Sequence, residues 1–215
     1  ERFAPEFRFT ANHNLICANI APGDAAAITA LLEEHGVRPA AQISPVRLAS
    51  TACVSLPTCG LALAESERAF PGLLTRIEAA LAETGLEKHP IITRIAGCPN
   101  GCSRPYVAEI GLVGRSPGKY QLWLGASPSG TRLARVWKEV VKIDEVVELE
   151  LKPLFARYAR ERLDGEPFGD WVAACSGTNN RLLNDSSTTD SSQRRVAGQA
   201  PARHHPLGAG PGAGP

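Results

Sequence analysis

Four of the six cysteines in this 215-residue chain fall into two spaced pairs. Cys53 and Cys59 lie in Ala-Cys-Val-Ser-Leu-Pro-Thr-Cys-Gly, a C-x5-C pair, and Cys98 and Cys102 lie in Gly-Cys-Pro-Asn-Gly-Cys, a C-x3-C pair. Thiolates are soft ligands that select zinc, copper(I) or iron–sulfur clusters, and two such loops can close four sulfurs around one centre. Gly60, Gly97 and Gly101 would let backbone come close to it, while Pro57 and Pro99 stiffen the loops. Structural zinc loops usually carry C-x2-C or C-x4-C pairs, which neither spacing here matches, and a four-sulfur cluster accepts more varied spacing, so spacing favours the cluster and leaves zinc open. Service as small buried hydrophobes fits poorly with loops so rich in glycine and proline.

The elements that must position these residues can be read from periodicity. Residues 7–10 and 15–20 read as strands, and Asp24 caps a helix whose apolar stripe is Ile28, Leu31 and Leu32, ending at Gly36. Leu61 to Phe70 has a helical pattern, which would set a helix N-terminus beside Cys59, where its dipole favours anionic sulfur. Pro71 opens another helix through Leu73, Leu74, Ile77 and Leu81, closed by Gly85. Strands are expected at 91–95, 107–113 and 120–124, the last two joined by a turn at Ser116-Pro117-Gly118. A helix starts near Asp144, runs through Val147, Leu151, Phe155 and Tyr158, and must kink or restart at Pro153. The order of elements predicts an α+β fold, a mixed or antiparallel sheet with flanking helices. From Ser176 to Pro215 aromatics are absent and Ser, Gly and Pro abound, so 176–215 is expected to be a disordered tail.

With 43% hydrophobic residues, 21% charged residues and a formal net charge of +1, nothing points to nucleic acid or a membrane surface as partner. No run approaches the ~18 apolar residues of a spanning helix. Cysteines in a chain this long read as metal-binding rather than as disulfides, which places the protein in a soluble, reducing compartment. There is no methionine, and the first ten residues carry neither a basic leader nor an apolar signal core. The expectation is a piece of a longer protein, lacking its amino-terminal half. Cys17 reads as core, Cys175 has no partner motif, and His13, His35 and His89 read as isolated surface residues. His204 and His205 fall in the tail.

Residues 52–67 (ACVSLPTCGLALAESE) and 93–114 (TRIAGCPNGCSRPYVAEIGLVG) closely resemble the cluster-binding region of sirohaem-dependent sulfite reductases, in the nitrite/sulfite reductase family. Phe9 to Leu15 is similar to that family's Thr-x-Asn-Gln-Asn-Leu stretch with His13 in place of glutamine, and Pro167 to Trp171 to its closing Phe-Gly-Asp-Phe. The resemblance covers residues 7–172. It implies a remnant of a ferredoxin-like half-domain at 1–45 and a sirohaem and [4Fe–4S] domain at 46–175. It implies that Cys53, Cys59, Cys98 and Cys102 hold the cluster, with Cys102 also bridging to sirohaem and so acting in catalysis. Asn100 would approach the macrocycle, or else serve as a left-handed turn residue. Arg104 would meet a sirohaem carboxylate, or else pair with Glu109. The activity implied is six-electron reduction of sulfite to sulfide. Cys102-Ser103-Arg104-Pro105-Tyr106 resembles sulfite rather than nitrite reductases. Residues 120–125 and 142–155 resemble ferredoxin-dependent plant and algal enzymes more than the NADPH-dependent haemoprotein that works with a flavoprotein subunit. Plastid stroma or cytoplasm follows as the compartment. The piece by itself would bind a metal cluster without catalysis.

Overall fold

Alternate residues of adjacent strands face opposite ways, and here the two sets differ sharply. Ile95, Ile110, Leu112, Leu122 and Leu124 are all buried on one face of a five-stranded sheet, while Arg94, Gly111, Gln121 and Trp123 share the other. The computed structural model describes residues 3, 5–10 and 14–178. Its main sheet runs in the order β3 (Thr51–Ala52), β4 (Thr93–Ala96), β5 (Ile110–Ser116), β6 (Lys119–Leu124), β7 (Arg135–Lys142). β3, β4 and β5 are parallel to one another, and β5, β6 and β7 antiparallel. The fold is α+β with a mixed sheet and flanking helices.

The apolar face packs on α3 (Phe70–Glu83), α4 (Lys152–Glu161) and α5 (Phe168–Thr178). In α3 the expected stripe of Leu73, Leu74, Ile77 and Leu81 is buried. The helix closes as expected: Gly85 takes φ +72°, its N–H meets Ala82 O and the Leu86 N–H meets Leu81 O, the bonding of a Schellman end. The Pro153 restart is also present. Residues Val147–Leu151 form a π-helical turn, and α4 begins with the proline in its first turn, where a missing N–H is tolerated.

Several expectations shift. Residues 61–69 turn rather than coil into a helix, because their donors are committed elsewhere: the Leu63 and Ala64 N–H groups both meet Gly97 O. The strand expected at 107–113 begins at Ile110, since Pro105–Val107 form a 3-10 turn. Strands β3 and β7 were not anticipated, β3 being two residues long and β7 carrying a mixed, largely exposed pattern.

Ahead of this core stand the antiparallel hairpin β1 (Glu6–Phe9) and β2 (Leu15–Ala18), then α1 (Ala25–Glu34) and the short α2 (Pro45–Leu48). Asp24 sits at the N-cap of α1 but its side chain makes no capping bond. Among the described residues, none before Val46 enters the core. Cys17 is half-buried on β2 and outside the core, whereas Cys175, on α5, packs against it, and burial pushes its thiol pKa up. α5 runs past the expected boundary at 176; residues 179–215, with the expected tail, and His13 lie outside the described residues.

α5 is fastened to the sheet by a buried carboxylate. Glu109 accepts the Ile92 N–H and the Gly169 N–H, each at 2.8 Å. Burial raises its pKa above the usual carboxylate value, the two N–H bonds oppose that rise, and Asp170 adds to it. An acid whose folded pKa is raised contributes less stability as pH climbs from the unfolded value through the folded one. Glu109→Gln removes this titration and turns an amide NH2 toward one N–H, leaving a buried donor unpaired at a cost of roughly 1–3 kcal/mol. Urea melts should show the variant less stable than wild type, with the gap larger at pH 5 than at pH 8.

Candidate metal centre

Open sheets bind ligands beyond the carboxyl ends of their parallel strands, and both cysteine motifs begin there. Cys53 directly follows β3 and Cys98 follows β4 by two residues. These strands are neighbours and parallel, so their ends emerge side by side. Cys53, Cys59, Cys98 and Cys102 all line one cavity of about 560 Å³, with Asn100 at its edge and Val54, Leu61 and Phe70 among its apolar walls. Cys98 is buried, Cys53 and Cys59 are half-buried and Cys102 is exposed.

The loops are pinned through β4. Ile95 O accepts from the Cys53 N–H (3.2 Å), from Ser66 Oγ (2.8 Å) and from Ser103 Oγ (2.7 Å). The Gly97 N–H reaches Cys53 Sγ at 3.2 Å. Ser55, in left-handed backbone at φ +55°, donates to Ala64 O. Tyr120 donates from below to Glu65 O, and its pKa is pushed up to about 12, chiefly by burial. Near the cavity, Arg47 of α2 is paired with Glu78 of α3, and that hydrogen bond is the main reason the Glu78 carboxyl lies below its ordinary range.

Two of the three glycines leave no room for a side chain. A Cβ on Gly97 would fall 1.9 Å from Ser55 Oγ and 2.7 Å from Ala64 O, and Gly101 takes φ +64° with the Tyr106 ring behind it; Gly60 has nothing within 4 Å. Gly101, not Asn100, is the left-handed residue of the second loop, joined by Arg104 at φ +58°. Glu109 does not meet Arg104, because its two oxygens are taken by Ile92 and Gly169. No helix N-terminus stands at Cys59, since α3 starts only at Phe70. His35 is the exposed C-cap residue of α1; His89 is half-buried, and its Nδ1 is enclosed without a hydrogen-bond partner. What sequence reasoning missed is the serine set, Ser55, Ser66 and Ser103, whose only signal was polar residues among buried neighbours.

No family model matches the chain. A Methylorubrum populi protein named sulfite reductase (NADPH) hemoprotein beta-component is 52% identical over 167 residues, which is 78% of this chain and 27% of that protein. A Lysinibacillus sphaericus protein of the same name is 49% identical over 167 residues, 78% of this chain and 29% of that protein. The chain belongs to the sulfite reductase haemoprotein family. It spans a little over a quarter of the length of these relatives. Among solved structures, the Mycobacterium tuberculosis NirA protein matches with a TM-score of 0.69 and 26% identity, over 85% of this chain and 34% of that one.

Sulfite reductase haemoproteins imply an iron–sulfur cluster and sirohaem, and the donor set here fits the first. Four thiols surround one cavity, yet among the described residues no three His, Cys, Asp or Glu side chains converge as tightly as a single metal ion requires. Four thiols are the donor set an iron–sulfur cluster takes.

Two glycine substitutions separate a crowded loop from an open one. Gly97→Ala should destabilise the unloaded chain by about 1–3 kcal/mol, as overpacking does, and sharply lower its iron uptake. Gly60→Ala should match wild type in both, with urea melts and iron analysis as the measurements.

Proposed function

We propose that this chain is the cluster-binding segment of a sulfite reductase, in which Cys53, Cys59, Cys98 and Cys102 hold a [4Fe–4S] cluster. The observation that carries this reading is the meeting of the two cysteine motifs around one cavity, in a segment about half identical to sulfite reductase haemoproteins. Residues 46–175 form the cluster domain and residues 1–45 belong to a separate half-domain, in keeping with a core that starts at Val46. Cys102, the most exposed of the four, would be the ligand shared with sirohaem; Asn100, on the same rim, would face the macrocycle, and Arg104 would hold one of its carboxylates.

When bound, cluster and sirohaem would pass six electrons from an external donor to sulfite, reducing it to sulfide. This chain's own residues hold the cysteines in place, direct the Gly97 N–H onto Cys53 Sγ, and line part of the cavity with the apolar Val54, Leu61 and Phe70. The relatives' names carry NADPH, which supports electron delivery from an NADPH-linked partner component; nothing in the comparisons supports ferredoxin. Among the described residues no helix is long and apolar enough to cross a membrane.

Anaerobic reconstitution should load about four iron and four sulfide per chain. Stoichiometric zinc without sulfide would overturn the cluster reading. In a protein of the relatives' full length, Cys102→Ser should abolish sulfite reduction and the spectroscopic coupling between cluster and sirohaem, because a serine oxygen is a harder, poorer bridge. Retained coupling there, with its loss in Cys53→Ser at intact cluster content, would move the bridge to Cys53.

A further inference from the structure

The loop from Cys98 to Cys102 is a wall with two sides. Cys98 and Cys102 line the cysteine cavity only; Gly101, Tyr106 and Trp123 line only a second cavity, of about 440 Å³, and Asn100 touches both. On that far side the Tyr106 hydroxyl donates to Pro99 O at 2.7 Å. The Tyr106 ring fills the space behind Gly101, where a Cβ would come within 2.7 Å of it. The ring is itself held: it meets Trp123 edge-on at 4.9 Å, and the Trp123 indole N–H donates to Gln121 Oε1 at 3.0 Å.

The Pro99–Asn100 peptide is not among the cis bonds, and in a planar trans peptide the carbonyl and the following N–H point in opposite directions. Fastening the Pro99 carbonyl toward Tyr106 therefore turns the Asn100 N–H toward the cysteines. Cys98 O is bonded to the Gly101 N–H and Gly101 O to the Arg104 N–H, so the Pro99–Asn100 peptide is the central peptide of a closed turn, and the Tyr106 hydroxyl holds its carbonyl from outside.

We propose that Tyr106 is a positioning residue of the cluster site, aiming the Asn100 N–H at cluster or cysteine sulfur from the opposite side of the loop. This rests on the cluster reading above. Hydrogen bonds to the sulfurs are one of the factors that set cluster potential; an N–H pointed at sulfur stabilises the more negative, reduced form and raises the potential. Tyr106 touches no sulfur itself and acts through the peptide it orients.

The test uses the 215-residue chain after anaerobic reconstitution, with Tyr106→Phe, which keeps the ring and removes the bond to Pro99, and Trp123→Phe, which leaves the hydroxyl in place. Tyr106→Phe should load iron and sulfide as wild type does but show a lower midpoint potential and an altered EPR signal of the reduced cluster. In the unloaded chain the Pro99 carbonyl carbon resonance should move in Tyr106→Phe alone. Trp123→Phe should hold the wild-type potential. A fully loaded Tyr106→Phe with the wild-type potential overturns the inference and leaves the cluster reading intact. Failure of Tyr106→Phe to load while its amide spectrum stays folded also overturns it, because the hydroxyl would then seat the loop rather than tune the cluster. A wild-type chain that takes up no iron overturns the cluster reading and this inference with it.

Discussion

One carbonyl oxygen gathers the site. Ile95 O receives the Cys53 N–H from the first motif, the Ser66 hydroxyl from the segment returning after Cys59, and the Ser103 hydroxyl just beyond Cys102. A carbonyl has two lone pairs, and the distances reflect that: two short serine bonds and one longer peptide bond. Segments far apart in sequence are thereby tied to the last turn of β4. Because a buried hydroxyl or carbonyl left unpaired is costly, each of the three bonds makes the other loops' positions easier to maintain, and the cavity inherits its shape from the strand end rather than from the loops.

One face of the sheet and the ends of its parallel strands divide the labour. The face toward α3, α4 and α5 holds the apolar core and accounts for stability by burial. The cysteines sit on the connections that leave the ends of β3 and β4, and the connection from β4 to β5 is itself the second cysteine loop. Parallel neighbours need such a crossover, so topology alone brings a loop to the place where the first motif already emerges.

How much of this was legible follows from which forces act locally. The cysteine spacing, the α3 stripe with its Gly85 stop, the Pro153 restart and the β5–β6 hairpin are each written within a few residues, and each was readable. The segment 61–69 has a helical pattern of apolar residues, but its N–H groups are claimed by Gly97 O from more than thirty residues away, and no local pattern reveals that. β7 was hidden because an edge strand is half solvated and its alternation is blurred by register shifts against β6. The role of Ser66 and Ser103 was unreadable for the same reason: their partner is a backbone oxygen on another strand, which has no sequence signature of its own.

Three glycines beside the cysteine loops bear on how the protein can vary. Besides Gly97, a Cβ on Gly111 would lie 2.3 Å from Pro105 O, and one on Gly114 would lie 2.3 Å from Gly97 O. At these points one stretch of main chain rests directly on another, and the obstacle is backbone, which cannot rotate aside as a flexible side chain can. Any base change in these codons that alters the amino acid introduces a carbon where a peptide oxygen already sits. The larger residues around these loops can diverge, but at these positions inheritance has a single permitted letter.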